Sequence, residues 1–154
     1  MYTDAFQGVI DYIEANLKTD ITVDELAAIA GYSKYHFYSV FGEVVGLPVT
    51  GYILHRRLKH ALYEIASGRT AIEVVSQYGF DTYAGFYKAF VREYGCSPKK
   101  YVAIYGNVVA IPEQEKKTLL KFIRQRLATA SDIAHSKRYM LLYAQFSLFY
   151  LKNP

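Results

Sequence analysis

An all-α fold follows from three features of this 154-residue sequence. Apolar residues recur at helical spacing, no segment sustains an alternation of period two, and one helix–glycine–helix pattern occurs twice. With 52% hydrophobic and 21% charged residues, 16 Tyr and 9 Phe, the chain suits one packed domain or two very small ones. That balance excludes a large multi-domain enzyme and a mostly disordered chain. The single cysteine, Cys96, cannot form an internal disulfide, and the opening MYTDAFQGVIDYIEANL has acids where a secretion signal needs a basic and then an apolar stretch. A reducing, cytoplasmic location is expected.

Taken in order, Phe6, Val9, Ile10, Ile13 and Leu17 lie on one face of a first helix. Thr22 with Glu25 fits a capping box, in which hydroxyl and carboxylate satisfy amides left orphaned at a helix start. The short helix it opens stops at Gly31, and Ser33 caps the next. Phe37 and Phe41, four apart, set the buried face of that second helix, and Gly46 ends it. Leu54, Leu58, Ala61, Leu62 and Ile65 then recur at helical spacing and predict a further helix.

The pattern repeats from there. Thr70 with Glu73 opens a short helix, Gly79 stops it, Asp81 is the expected cap of the following one, Phe86 and Phe90 are its buried pair, and Gly95 ends it. The copies, 21–53 and 70–102, are offset by 48 residues at the glycine turn and 49 from the phenylalanines onward. The second turn therefore holds one extra residue. Residues 1–105 read as two helix-turn-helix units.

Beyond them, Pro112 and the polar run Glu113 to Lys117 suggest a linker over 106–118. A helical tail is expected over 119–154, beginning with the amphipathic, basic stretch Leu119, Leu120, Phe122, Ile123 and Leu127. The apolar run from Tyr139 to Leu151 is too short to span a membrane, so no membrane association is expected. Three roles fit the tail: remnant of an effector domain, self-association segment, or cover for the module.

No catalytic constellation is visible, and no enzymatic activity, metal or cofactor is expected. His55 and His60 are five apart, off the spacing that faces a metal from one helix, and phosphate loops, nucleophile elbows and clustered carboxylates do not occur. Cys96, in the loop after the helix that Gly95 ends, fits a small buried hydrophobe. The outline alone also fits helical bundles and repeats that touch no DNA, and a protein-interaction module is the alternative reading.

Particular residues favour DNA. Leu26, Ala27, the run Ala30-Gly31-Tyr32-Ser33-Lys34, then Phe41, Gly46, Tyr52, Ile53, Arg57 and Leu58 are matched in the second copy by Tyr78-Gly79-Phe80, Phe86, Phe90, Gly95, Pro98 and Tyr101. Through them residues 4–104 resemble the DNA-binding module of AraC/XylS-type transcription regulators, closest to the small activators of that family. The resemblance implies a monomeric module with two helix-turn-helix units joined by a connecting helix from about Pro48 to Ser67, on adjacent major grooves of double-stranded DNA, and RNA polymerase as a further partner. A connecting helix of roughly 30 Å is comparable with the ~34 Å between successive groove faces. Val102, where many members have Arg, and Gly85, inside the second reading helix, depart from the pattern.

With the phenylalanines inward, the opposite positions are Lys34, Tyr35, Tyr38 and Ser39 in the first unit, and Tyr83, Ala84, Tyr87 and Lys88 in the second. The resemblance places base reading on the same residues, Lys34 apart. These faces offer two lysines but no Arg, Asn or Gln, so direct readout is modest. Tyrosines pack on thymine methyls or donate to phosphates, which favours A·T-rich sites read partly through shape. The two faces differ, so the site should be asymmetric. Phosphate contacts are expected from His36, Arg56, Arg57, Arg69, Arg92, Lys99 and Lys100. Bulk charge gives no support in this part: residues 1–105 hold 10 basic and 11 acidic side chains, and 106–154 hold 8 and 3.

Overall fold

The computed structural model describes residues 2–106 and 112–128, which form eight α-helices and, among these residues, no strand. Helix α1 spans Tyr2–Ala15; α2 (Val23–Ala30) and α3 (Lys34–Val45) form the first unit; α4 (Val49–Ala66) connects; α5 (Ala71–Gln77) and α6 (Tyr83–Tyr94) form the second. Helices α7 (Pro98–Tyr105) and α8 (Pro112–Ala128) follow. No single described helix is long and apolar enough to cross a membrane.

The local starts and stops have identifiable causes. At α2 the full capping box forms: the Glu25 amide donates to Thr22 Oγ1 at 3.3 Å and the Thr22 amide to Glu25 Oε2 at 2.9 Å. At α5 the expected box does not form: the Thr70 hydroxyl donates to Glu73 Oε2 at 2.6 Å and caps no amide, so the two side chains pair with each other instead. Ser33 caps α3 as expected. The cap of α6 is Thr82 rather than Asp81: Thr82 Oγ1 accepts the Gly85 amide at 3.0 Å. Asp81 is thus the extra residue of the second turn. Gly85 lies in the first turn of α6, on that capped amide, where a flexible residue costs the helix less than in its interior.

One apolar core runs through both units. Phe6, Phe37, Phe41 and Tyr52 meet around the first, and Phe86, Phe90 and Tyr101 around the second. The i, i+4 phenylalanine pairs are near-copies, with ring centroids 5.5 Å apart in α3 and 5.7 Å in α6. Helix α4 touches α3, α5, α6, α7 and α8. Cys96 is half-buried against this core rather than enclosed by it.

The expected linker is corrected by α8, which starts at Pro112 inside it. Proline lacks the amide hydrogen that a first helical residue leaves unused, and Glu113 and Glu115 in the first turn oppose the positive end of the helix dipole. Leu119, Leu120 and Ile123 are buried, and α8 packs on α1, α3 and α4. The run 139–151 and the rest of the tail beyond residue 128 lie outside the described residues.

The units are also braced against each other. Arg57 of α4 donates to the carbonyls of Leu17 at 3.0 Å and Thr19 at 2.7 Å, ahead of α2. Its guanidinium also flanks Gly79, where an added Cβ would lie 2.9 Å from Nη1. Gly79 has φ +73°, so alanine is disfavoured there by backbone and neighbour alike. Gly79→Ala should cost about 1–2 kcal/mol, read as a lower urea midpoint, and an unchanged midpoint would show that the turn relaxes freely.

Candidate nucleic-acid interface

Helices α3 and α6 each bury their phenylalanines and leave the opposite face open. Tyr35 is 88% exposed, Tyr38 40%, Tyr83 43% and Tyr87 41%, whereas Phe37, Phe41, Phe86 and Phe90 are fully enclosed. Lys34, Ser39, Ala84 and Lys88 are exposed as well. All eight residues expected to face DNA bases are therefore on the surface. Tyr83 and Tyr87 sit one helical turn apart with ring centroids at 6.3 Å, forming a small aromatic face. Helix α8 leaves these faces open, since it lies on α1, α3 and α4 while Tyr35 stays almost fully exposed.

Two of these polar side chains already have partners. Lys34 Nζ lies 2.7 Å from Asp24 Oδ2, and this neighbouring carboxylate holds its ammonium above the usual lysine range. Ser39 Oγ donates to Glu43 Oε1 at 3.3 Å, which places Glu43 on the same face of α3.

The residues expected to hold phosphate divide into two groups. His36, Arg92, Lys99 and Lys100 are exposed. His36 rests edge-on against Tyr32, with centroids at 4.8 Å. Arg69 is on the surface but pairs with Glu64 and donates to Gln77 Oε1 at 3.3 Å. Arg56 is a correction: only 2% exposed, it donates to both Glu14 oxygens at 2.7 and 3.0 Å, to Glu115 Oε2 at 3.1 Å and to the Pro112 carbonyl at 2.8 Å. Buried and held by these four hydrogen bonds, it has no route to a backbone phosphate. Arg57 is half-buried, and its Nε and Nη2 donate to the Leu17 and Thr19 carbonyls. Adjacent basic residues on a helix point about 100° apart. Arg56 is thus enclosed, and Arg57 only partly so.

His55 and His60 likewise serve packing. His55 Nδ1 is 2.8 Å from Glu93 Oε1 on α6, and His60 Nε2 is 3.0 Å from Glu14 Oε2 on α1. Among the described residues no three His, Cys, Asp or Glu side chains are placed to hold a metal.

Two helix-turn-helix units on one connecting helix, each exposing one face of its second helix, define a DNA-binding module of the double helix-turn-helix class. The helix-turn-helix domain family profile matches residues 26–103, which take in both units. The HTH-type transcriptional activator AarP of Providencia stuartii is 34% identical over 94 residues, 60% of this chain and 70% of that protein. The Tn10 TetD protein of Escherichia coli is 32% identical over 101 residues, 65% of this chain and 73% of that protein. The transcriptional regulator Rob of Salmonella typhimurium is 34% identical over 96 residues, though this chain spans only 33% of its length. A solved AraC-type transcriptional regulator from Chromobacterium violaceum shares the fold, with TM-score 0.59 at 19% identity over 65% of this chain and 90% of that one. The chain belongs to the AraC-type helix-turn-helix transcription regulators, and it is a DNA-binding regulator of transcription.

Proposed function

We propose that this regulator binds an asymmetric, A·T-rich duplex with α3 and α6 in adjacent major grooves. Tyr35, Tyr38 and Ser39 read one half, and Tyr83, Ala84, Tyr87 and Lys88 read the other. Lys34 assists from the start of α3. The observation that carries this reading is the exposure of all eight of these side chains on helices whose opposite sides are sealed in the core. Exposed tyrosines present apolar rings to thymine methyls and hydroxyls to phosphates. His36, Arg92, Lys99 and Lys100 supply backbone contacts, with Arg69 available by exchange from Glu64. The protein acts in the cytoplasm by positioning RNA polymerase, without catalysis of its own. Residues 119–154 contribute to self-association beyond the part of α8 that packs on the module.

Selection of random duplexes by the purified chain, followed by salt titration on the enriched sequence, tests this. Affinity should fall as salt rises, because phosphate neutralisation releases counterions. Lys88→Ala should weaken binding by about tenfold and relax the preference at one base pair. Enrichment of no sequence over bulk DNA would defeat the reading. A site preference unchanged by Lys88→Ala would remove that residue from the reading set.

A further inference from the structure

Superposing the two copies in sequence by the 49-residue offset of their phenylalanines pairs Ser39 with Lys88 and Glu43 with Arg92. The first pair of positions is therefore neutral and acidic, the second doubly basic. The Ser39–Glu43 hydrogen bond puts that acid on the exposed face of α3, one turn beyond Ser39. Lys88 and Arg92 have the same spacing and are both exposed on α6. Helix propensity does not account for Glu43: it sits in the last turn of α3, where the dipole disfavours an acid, whereas Arg92 occupies the dipole-favoured end of α6.

The contrast extends over each unit. Residues 21–53 contain Asp24, Glu25 and Glu43 against one base, Lys34, which is already paired with Asp24, and Glu25 accepts from the Thr22 amide. Residues 70–102 contain Lys88, Arg92, Lys99 and Lys100 against Glu73, Asp81 and Glu93. Of these acids, Glu73 accepts from Thr70 and Glu93 is engaged with His55. A phosphate chain laid along both units meets net negative charge on the first and net positive charge on the second.

We infer that the second helix-turn-helix unit supplies most of the phosphate grip, and that Glu43 and Arg92 set this polarity. The first unit then contributes base and methyl contacts while its acids hold the backbone off. This rests on the DNA-reading faces proposed above and adds a division of labour to them. It also orients the module on its duplex, because only one half of the site can be the strongly gripped one.

Charge exchange at the equivalent positions tests it. Full-length wild type, Glu43→Arg, Arg92→Glu and the double exchange are titrated with the selected duplex at several salt concentrations, and phosphate-ethylation interference maps the contacts. Arg92→Glu should weaken binding by about tenfold or more and lower the salt slope by about one. Glu43→Arg should tighten binding severalfold and steepen the slope by about one. The double exchange keeps the net charge of +4, yet it should move the stronger interference towards the half read by α3. Glu43→Gln and Arg92→Gln, checked by circular dichroism, give the same directions at smaller size should a reversal disturb folding.

Wild-type interference spread evenly over both halves, or a double exchange that leaves the pattern in place, would overturn the inference while leaving DNA reading intact. Absence of any duplex binding by wild type would overturn the reading itself, and the inference with it.

Discussion

Glu14→Leu is expected to destabilise the protein by about 3 kcal/mol, at the low end of the range for breaking a buried ion pair from one side. The Glu14 carboxylate accepts from Arg56 Nε and Nη2 and lies 3.0 Å from His60 Nε2, joining α1 to the connecting helix. Leucine would fill much of the space but leave a buried guanidinium with fewer partners. Glu115 and the Pro112 carbonyl remain to Arg56, which is why the low end is expected.

The same side chain predicts a pH dependence. Burial by itself pushes the Glu14 carboxyl up, but hydrogen bonds from His60 and Arg56 and the charge of Arg56 outweigh it and bring it from the ordinary 4.5 to about 2. A carboxyl lowered on folding stabilises the fold fully above its unfolded value, and that contribution is lost as pH falls towards the folded one. The loss amounts to about 3 kcal/mol between roughly pH 5 and pH 2. Urea unfolding should therefore show a wide gap between wild type and Glu14→Leu at pH 7 that narrows steadily below pH 4. A gap of constant width would mean the ion pair is not the source of the stability.

Ending the chain at Gly106 should cost on the order of 5 kcal/mol relative to a chain ending at Ala128, an upper estimate from the apolar side chains that α8 buries. Leu119, Leu120 and Ile123 are at most 8% exposed, so their removal bares the surfaces of α1, α3 and α4 that they cover. It also takes Glu115 from Arg56 and from Lys59, a lysine only 4% exposed whose Nζ lies 3.0 Å from Glu115 Oε1. Lys116 would leave Asp11, which it approaches to 2.7 Å. The shorter chain should unfold at lower urea with a broader transition. Equal midpoints for the two chains would show that α8 rests on the module without supporting it.

Helix α8 contacts α3, proposed above to read DNA, so its loss would loosen the support of the first unit.

Most of the helical outline was legible in the residues. The connecting helix that the resemblance implies from about Pro48 to Ser67 runs from Val49 to Ala66 with those residues as its caps. Phe37, Phe41, Phe86 and Phe90 were recognisable as buried because spacing by four admits a single face. Thr82 escaped notice because Asp81 is an equally good cap by type, and only the backbone conformation of the turn chooses between neighbours. The start of α8 was hidden by its polar first turn, Glu113 to Lys117, which reads as linker until α1 and α4 supply the charges that it pairs with.

The sequence by itself determined the helices through α6, their repeat and the two exposed faces, since these depend on periodicity and caps within about a dozen residues of each position. Tertiary structure alone decided the fate of the arginines. Arg56 and Arg57 differ by one position, and nothing local marks either as internal; Glu14, Glu115 and the Leu17 and Thr19 carbonyls, distant in sequence, draw them inward. A charge is committed to the surface or the interior by the partners that packing brings to it, and those partners are not its neighbours in the chain.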